Sequence, residues 1–353
     1  MQYPIDNKRL MLKILETVDW LSTYPDSRVD FASFLSGWFL GTPPSELKRG
    51  NVLDFLAWTM YAKAMGNLSK SERKNALDVI KVVEQRLGRR LPPGHSPKAH
   101  CIRHTLDPVV PFNHRPLTLY ALLGTTRAVS RVILSFCGFR RLLAPCGRFR
   151  YWHREASEPR DGPIVFFHGV CSGLPVYLGT IWKVCRGRTC LVIESPSIMM
   201  NLHLLRGHTP PTESQLVDSV DSIMAHHGLP RATFFGHSFG SIAVAWIVRQ
   251  RPHLVSQIAL LDPVCLLLFL PDVANAFLHP QALDMPVVEK NLLYLVSRET
   301  GISHTLRRHF WWYTNVLWPQ DIQCPMVVGL AGLDKIAPAK PIRRFLLSYP
   351  GFA

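Results

Sequence analysis

Acidic residues are scarce in this 353-residue chain: 25 Asp and Glu stand against 40 Lys and Arg, a formal net charge of +15. That balance suits a polyanion, but no recognisable nucleic-acid-binding module accompanies it, so no nucleic-acid partner is expected. An anionic membrane surface is the better match. Charged residues reach only 18%, and with 47% hydrophobic residues the chain is globular and not disordered. The eight cysteines include no C-x-x-C pair, which argues against a disulfide scaffold and for reduced thiols. The histidines are scattered and no H-E-x-x-H occurs, so neither a metal nor an organic cofactor is implied. The amino terminus carries Asp6, Lys8, Arg9 and Lys13 with no uninterrupted apolar region, so no secretory signal is expected. The compartment expected is therefore intracellular, with peripheral attachment to a membrane. Pro163 to Trp182 is free of Asp, Glu, Lys and Arg, yet Gly169, Gly173 and Pro175 break it, and no helix is expected to span a bilayer.

What is present divides the chain in two. Residues 5 to about 92 carry apolar residues near helical spacing in four runs, the last from Ser69 to Leu87. Between Arg86 and Arg154, twelve arginines and Lys98 face only Asp107. This segment also holds the apolar run Leu117 to Leu123, a composition suited to a membrane interface, but the reading preferred for it is a connector packed on the rest of the chain with its arginines solvated or paired. Residues 1–147 are read as a helical amino-terminal region with this basic connector, and 148–353 as a second, catalytic domain.

The second domain alternates strands with helices. Apolar runs at Ile164–Phe167, Cys190–Ile193, Ala232–Phe235, Gln257–Leu261 and Met326–Leu330 read as strands, and Pro211–His227 as an amphipathic helix with Thr212 and Gln215 forming a capping box. Alternation of this kind predicts an α/β fold with a mostly parallel sheet covered on both faces. The sharpest local signal is Gly236-His237-Ser238-Phe239-Gly240, a G-x-S-x-G pattern between a strand and a buried helix. There the chain must turn so tightly that a Cβ at 236 or 240 would clash, which exposes Ser238 as a nucleophile.

Three motifs in order resemble the α/β-hydrolase superfamily, from about Arg148 to Tyr349: Phe167-His168-Gly169, the elbow at Ser238, and Gly332-Leu333-Asp334 with Pro338. Leu261-Asp262-Pro263-Val264-Cys265 and the insertion after it are similar to the subset of such hydrolases with a long amino-terminal extension. The resemblance implies that Ser238 forms an acyl-enzyme, that the backbone N–H groups of Phe239 and Val170 bind the oxyanion, and that Asp334 is the acid of a triad. Gly169, Gly236 and Gly240 are its motif glycines. Residues 263–321 become a cap, whose apolar and aromatic content suits a small-molecule ester or lipid with an apolar acyl group.

One part of that pattern is missing. The resemblance places a catalytic histidine after the acid, but the 19 residues from 335 to 353 contain none, so no catalytic histidine is assigned. The explanation favoured is that the last strand and histidine loop are absent from a shortened carboxy terminus. The alternative is a catalytically dead binding or scaffold protein on the same fold. His168 and His237 are read as motif histidines that structure the site. A rearranged triad of Asp262 with His279, His304 or His309 is a further, minor expectation.

Overall fold

The apolar runs of the second half assemble into a single sheet, seen in a computed structural model that describes residues 6–25, 27, 29–108, 115–157, 161–201, 209–279, 286–334 and 336–349. The helices of the first half come first in the chain: α1 (Asn7–Ser22), α2 (Phe31–Trp38), α3 (Arg49–Tyr61), α4 (Lys70–Arg86) and α5 (Leu117–Phe136). Then follow β1 (Arg140–Leu143), β2 (Arg150–Arg154), β3 (Ile164–Phe167), α6 (Leu178–Val184), β4 (Cys190–Glu194), α7 (Glu213–His226), β5 (Ala232–His237), α8 (Gly240–Gln250) and β6 (Val255–Leu261). Four helices, α9 (Pro271–Leu278), α10 (Val287–Ser297), α11 (Thr300–Arg308) and α12 (Trp312–Asn315), precede β7 (Met326–Gly329) and α13 (Ala339–Leu347).

The strand order is β1-β2-β4-β3-β5-β6-β7, antiparallel at β1/β2 and β2/β4 and parallel from β4 to β7. Every residue of β3 and β4 is buried, as expected of interior parallel strands covered by helices on both faces. The predicted capping box of α7 forms, with Thr212 accepting from Gln215 N–H. The sheet begins at Arg140 and not at residue 148. Its first strand is an edge strand carrying Arg140 and Arg141, and charge on an edge reads in a sequence as a connector.

The amino-terminal helices share one hydrophobic core with the sheet domain, running from Met11 in α1 to Leu346 in α13. Trp38 at the end of α2 donates its indole N–H to the Phe269 carbonyl at 3.1 Å, and Asn275 of α9 donates to the Gly37 carbonyl at 3.2 Å. Gly37 is required there, because a Cβ would stand 2.4 Å from Pro271. The expected cap therefore sits between two parts of one packed body, held from above by α2.

The basic segment bears on two expectations. Nine of its twelve arginines are hydrogen-bonded or paired, among them Arg86 to Asp19, Arg103 to Asp107, Arg141 to Glu194 and Arg115 to the carbonyls of Tyr294 and Leu295. The chain is thus closer to the preferred packed reading than to a free basic surface. The expectation that changes concerns α5, whose 20 residues have a mean hydropathy of 1.2 and whose most apolar window is only 22% buried. By length and composition it could cross a bilayer, against the expectation of no such helix. The threonines and serines between its apolar residues hid this in the sequence.

Candidate active site

The chain leaves β5 through a turn in which Ser238 has φ of +50°, the left-handed region that a residue with a side chain enters only under constraint. Such a conformation costs on the order of 1–3 kcal/mol and persists where its surroundings over-determine it. Here Ser238 N–H donates to the Leu261 carbonyl at 2.9 Å, and the Ser238 carbonyl accepts from Ser241 N–H at 3.0 Å and Ser241 Oγ at 2.6 Å. Ser238 is half-buried, and its hydroxyl makes no hydrogen bond among the described residues.

Close backbone approach explains the glycines. A Cβ on Gly240 would stand 2.3 Å from the Phe167 carbonyl oxygen, and one on Gly236 would stand 2.9 Å from Ser241 Cα. Gly169 faces the nucleophile directly, since a Cβ there would lie 2.9 Å from Ser238 Cβ. The loop after β3 is thereby pressed against the turn. Val170 and Phe239 pack against one small apolar cluster with Met200, Ile302 and Leu306. Neither of their backbone N–H groups donates to another backbone group among the described residues.

The flanking histidines are committed to the scaffold. His168 is buried, with Nδ1 2.8 Å from the Gly169 carbonyl and Nε2 accepting from Ser195 N–H at 3.0 Å. The carbonyl can only accept, so the proton is on Nδ1, and burial lowers the pKa so that the ring stays neutral. His237 Nδ1 lies 2.8 Å from the Tyr177 hydroxyl, which also accepts from Gly169 N–H at 2.9 Å. Burial lowers the His237 pKa, while Asp262 and Asp334 oppose that shift through their charge.

Both candidate acids are held by backbone. Asp334 accepts from Ile336 N–H at 2.7 Å and borders a cleft of about 490 Å³ between α2 and α13. Asp262, with φ of +44°, accepts from Ala331 N–H at 2.6 Å and donates its own N–H to the Gly329 carbonyl, tying the exit of β6 to that of β7. The histidines proposed to join it are spread over other sites. His279 lines a polar cleft with Asp54, His95 and Arg103, and His309 packs edge-on against His304 at 4.9 Å. On the other side of Phe239 the cap and α2 enclose an apolar cavity of about 30 Å³ lined by Trp38, Val264, Phe277 and Phe310. No cluster of three or more metal-binding side chains occurs among the described residues.

Residues 162–291 match the sequence model of the alpha/beta hydrolase fold family. The sheet and helices of this stretch have the α/β-hydrolase fold. Among solved structures, a bacterial membrane phospholipase A described as a virulence factor is similar at 16% identity and a TM-score of 0.44, over 64% of this chain and 82% of its own. A hydrolase from Pseudomonas aeruginosa PA01 is similar at 18% identity and a TM-score of 0.41, over 60% and 87%. Naproxen esterase from Bacillus subtilis is similar at 13% identity and a TM-score of 0.39, over 54% and 72%. No curated protein sequence matches the chain.

Within this fold, Ser238, Gly169, Gly236, Gly240, Phe239 and Val170 come together, whereas among the described residues Asp334 is linked to the elbow through its charge on His237. Two supporting residues were not anticipated. Tyr177 holds the loop at Gly169, and nothing in its sequence surroundings distinguishes it from a core tyrosine. Ser241 binds the Ser238 carbonyl and also accepts from Val264 N–H at 3.1 Å and Cys265 N–H at 3.2 Å; as the one polar residue beginning a buried apolar helix it carried a legible signal. Ser241→Ala leaves two buried N–H groups without an acceptor and should lower unfolding free energy by about 1–3 kcal/mol in urea titration. An unchanged midpoint would show that Ser241 does not hold the elbow.

Proposed function

We propose that the chain is a serine hydrolase acting on carboxylic esters with an apolar acyl group. The observation that carries this reading is the left-handed Ser238, its hydroxyl unbonded, facing Gly169 across a gap too narrow for a Cβ. Ser238 Oγ adds to the ester carbonyl carbon, and the oxyanion that forms accepts from Val170 N–H and Phe239 N–H, the latter at the start of α8 where amides lack helical partners. Collapse of this intermediate expels the alcohol, which carries off the proton of the Ser238 hydroxyl, and leaves the acyl group on Ser238, from which water releases the acid and restores the hydroxyl. Asp334 is proposed as the acid of the triad, for which no histidine of this chain is assigned. The apolar lining of the cavity beside Phe239 supports the acyl preference.

We further propose that this hydrolase works at an anionic membrane surface through α5. Its outer face exposes Leu117 (72%), Leu122, Val129, Val132 and Phe136 (88%), and the neighbouring Val176 and Trp182 extend the same flank. Arg140, Arg150 and Lys183 supply nearby cationic groups. On its inner face Arg127 donates to the carbonyls of Met200 and Ser172, so the lipid-facing helix is bonded to the loop that follows Val170. Ester substrates dissolved in lipid would reach the cap from this side.

A second reading is a binding protein on the same fold. It is favoured by the engagement of His168 and His237 with Gly169, Ser195 and Tyr177 and not with Ser238.

A fluorophosphonate probe separates the two readings: the adduct is expected on Ser238 and nowhere else, with Ser238→Ala abolishing both labelling and hydrolysis of an activated short-chain ester. Labelling at another serine, or undiminished turnover in Ser238→Ala, contradicts the enzyme reading, and no labelling at all supports the binding protein. For the membrane, the chain should co-sediment with phosphatidylserine-containing vesicles at low salt, and a Leu122→Ser, Phe136→Ser variant should bind at least about tenfold more weakly, since each apolar side chain is worth roughly 1.5–3 kcal/mol when buried. Absence of binding at low salt would exclude α5 as a membrane contact.

A further inference from the structure

Glu194, the last residue of β4, is 5% exposed, and its carboxylate is shared by guanidiniums from two elements. Arg141 of β1 donates through Nε to Oε2 at 2.9 Å, and Arg131 of α5 places Nη2 3.9 Å from Oε1. Arg150 stands directly opposite Glu194 in the β2/β4 register, so its side chain rises from the same face of the sheet. It is exposed and makes no hydrogen bond or ion pair among the described residues. Three guanidiniums thus gather around one carboxylate, which leaves two positive charges unmatched there. Arg127, one turn earlier on α5, adds its charge from the inner side of the helix while bonded to the carbonyls of Met200 and Ser172. Burial lowers the Arg131 pKa, as do the charges of Arg141 and Arg150, against the single opposing charge of Glu194. The cluster is short of negative charge.

Burial is unequal within it. The side chains of Arg131 and Arg141 stay 45% and 27% exposed, whereas that of Glu194 is 7% exposed, so an anion arriving from solvent meets guanidiniums and not the carboxylate. A guanidinium presents its donors in a planar fork that fits phosphate oxygens two at a time. A phosphate monoester, at about −1.5 to −2 near neutral pH, neutralises the surplus, while a singly charged diester neutralises half of it. Position decides the source of that phosphate. Leu143, 54% exposed, is paired with Arg150 across β1 and β2, and Val132, also 54% exposed, directly follows Arg131. Apolar side chains interleaved with the arginines suit the acyl boundary of a bilayer, with the guanidiniums at the depth of its headgroup phosphates. A soluble phosphate compound gains nothing from that apolar rim.

We propose that Arg131, Arg141 and Arg150, gathered around Glu194, bind the phosphate monoester of a membrane-lipid headgroup. Arg141 keeps Glu194 satisfied, and the phosphate oxygens accept chiefly from Arg131 and Arg150. The proposal rests on the reading of α5 as a membrane contact and adds to it a discrimination that net charge alone does not make.

The test is co-sedimentation of the full chain with phosphatidylcholine vesicles that contain either phosphatidic acid, a monoester, or phosphatidylglycerol, a diester, matched in zeta potential. The phosphatidic acid vesicles should bind about tenfold more tightly, in line with charge-assisted bidentate bonds from arginine to phosphate. Arg131→Gln with Arg150→Gln should weaken both and bring the ratio close to one. Arg140→Gln with Lys183→Gln removes two charges outside the cluster, and should weaken both alike and keep the ratio. Glycerol 3-phosphate offers the same monoester without a bilayer, and at equal phosphate concentration it should not displace the chain from phosphatidic acid vesicles. Displacement would assign the site to a soluble phosphate compound and overturn the lipid source. Equal binding to the two vesicles, or a preference that survives Arg131→Gln with Arg150→Gln, overturns the headgroup site while leaving α5 as a membrane contact. Binding to neither at low salt removes the membrane reading itself, and the proposal with it.

Discussion

The contact between the loop after β3 and the turn carrying Ser238 is the constraint on which the rest of the site depends. At Gly240 the two backbones approach so closely that any side chain would push them apart, and at Gly169 the same is true of Ser238 itself. In that arrangement Val170 and Phe239 pack against one small apolar cluster beside the serine. The strain in Ser238 is balanced by bonds to groups that are themselves fixed, with Leu261 in the sheet and Ser241 in the first turn of α8. Ser241 then extends the constraint into the cap by binding Val264 and Cys265, so the elbow and the start of the cap form one rigid unit.

The amino-terminal helices act as a second support. Through Trp38, Gly37 and His104 they bond to Phe269, Asn275 and Phe310, which places them against the far side of the cap and not on a separate domain. The segment after them supplies α5, tied to the cap by Tyr120 bonding the buried Glu299 and by Arg115 bonding the α10 carbonyls. Several arginines that give the chain its charge are thus structural tethers. Those bonded to carbonyls keep their charge while losing their freedom, so net charge is a poor guide to the basic surface left over for a partner.

How much could be read in advance follows from how local each feature is. The elbow, the five core strands of the parallel series and the capped helix α7 were legible because each is specified by a few consecutive residues whose pattern has one physical solution. β1 was not, because two arginines on an edge strand resemble a linker, and neither was the exposed face of α5, since apolar residues announce burial only when something is there to cover them. Tyr177 and His104 depend on long-range packing that joins residues from the loop after β3, the amino-terminal region and the cap. His168 and His237 bond to Gly169, Ser195 and Tyr177, long-range contacts that the motif around them does not spell out.

The central claim is that the strained turn at Ser238 and the loop at Gly169 form one preorganised oxyanion site. A crystal structure of the chain after reaction with a phosphonate ester measures this directly, because the phosphoryl oxygen of the adduct marks where an oxyanion would lie. The account predicts that this oxygen sits within hydrogen-bonding distance of both Val170 N–H and Phe239 N–H, with the backbone of residues 167–170 and 236–241 unmoved. A phosphoryl oxygen directed away from those amides, or a loop that must rearrange to reach it, would contradict the account.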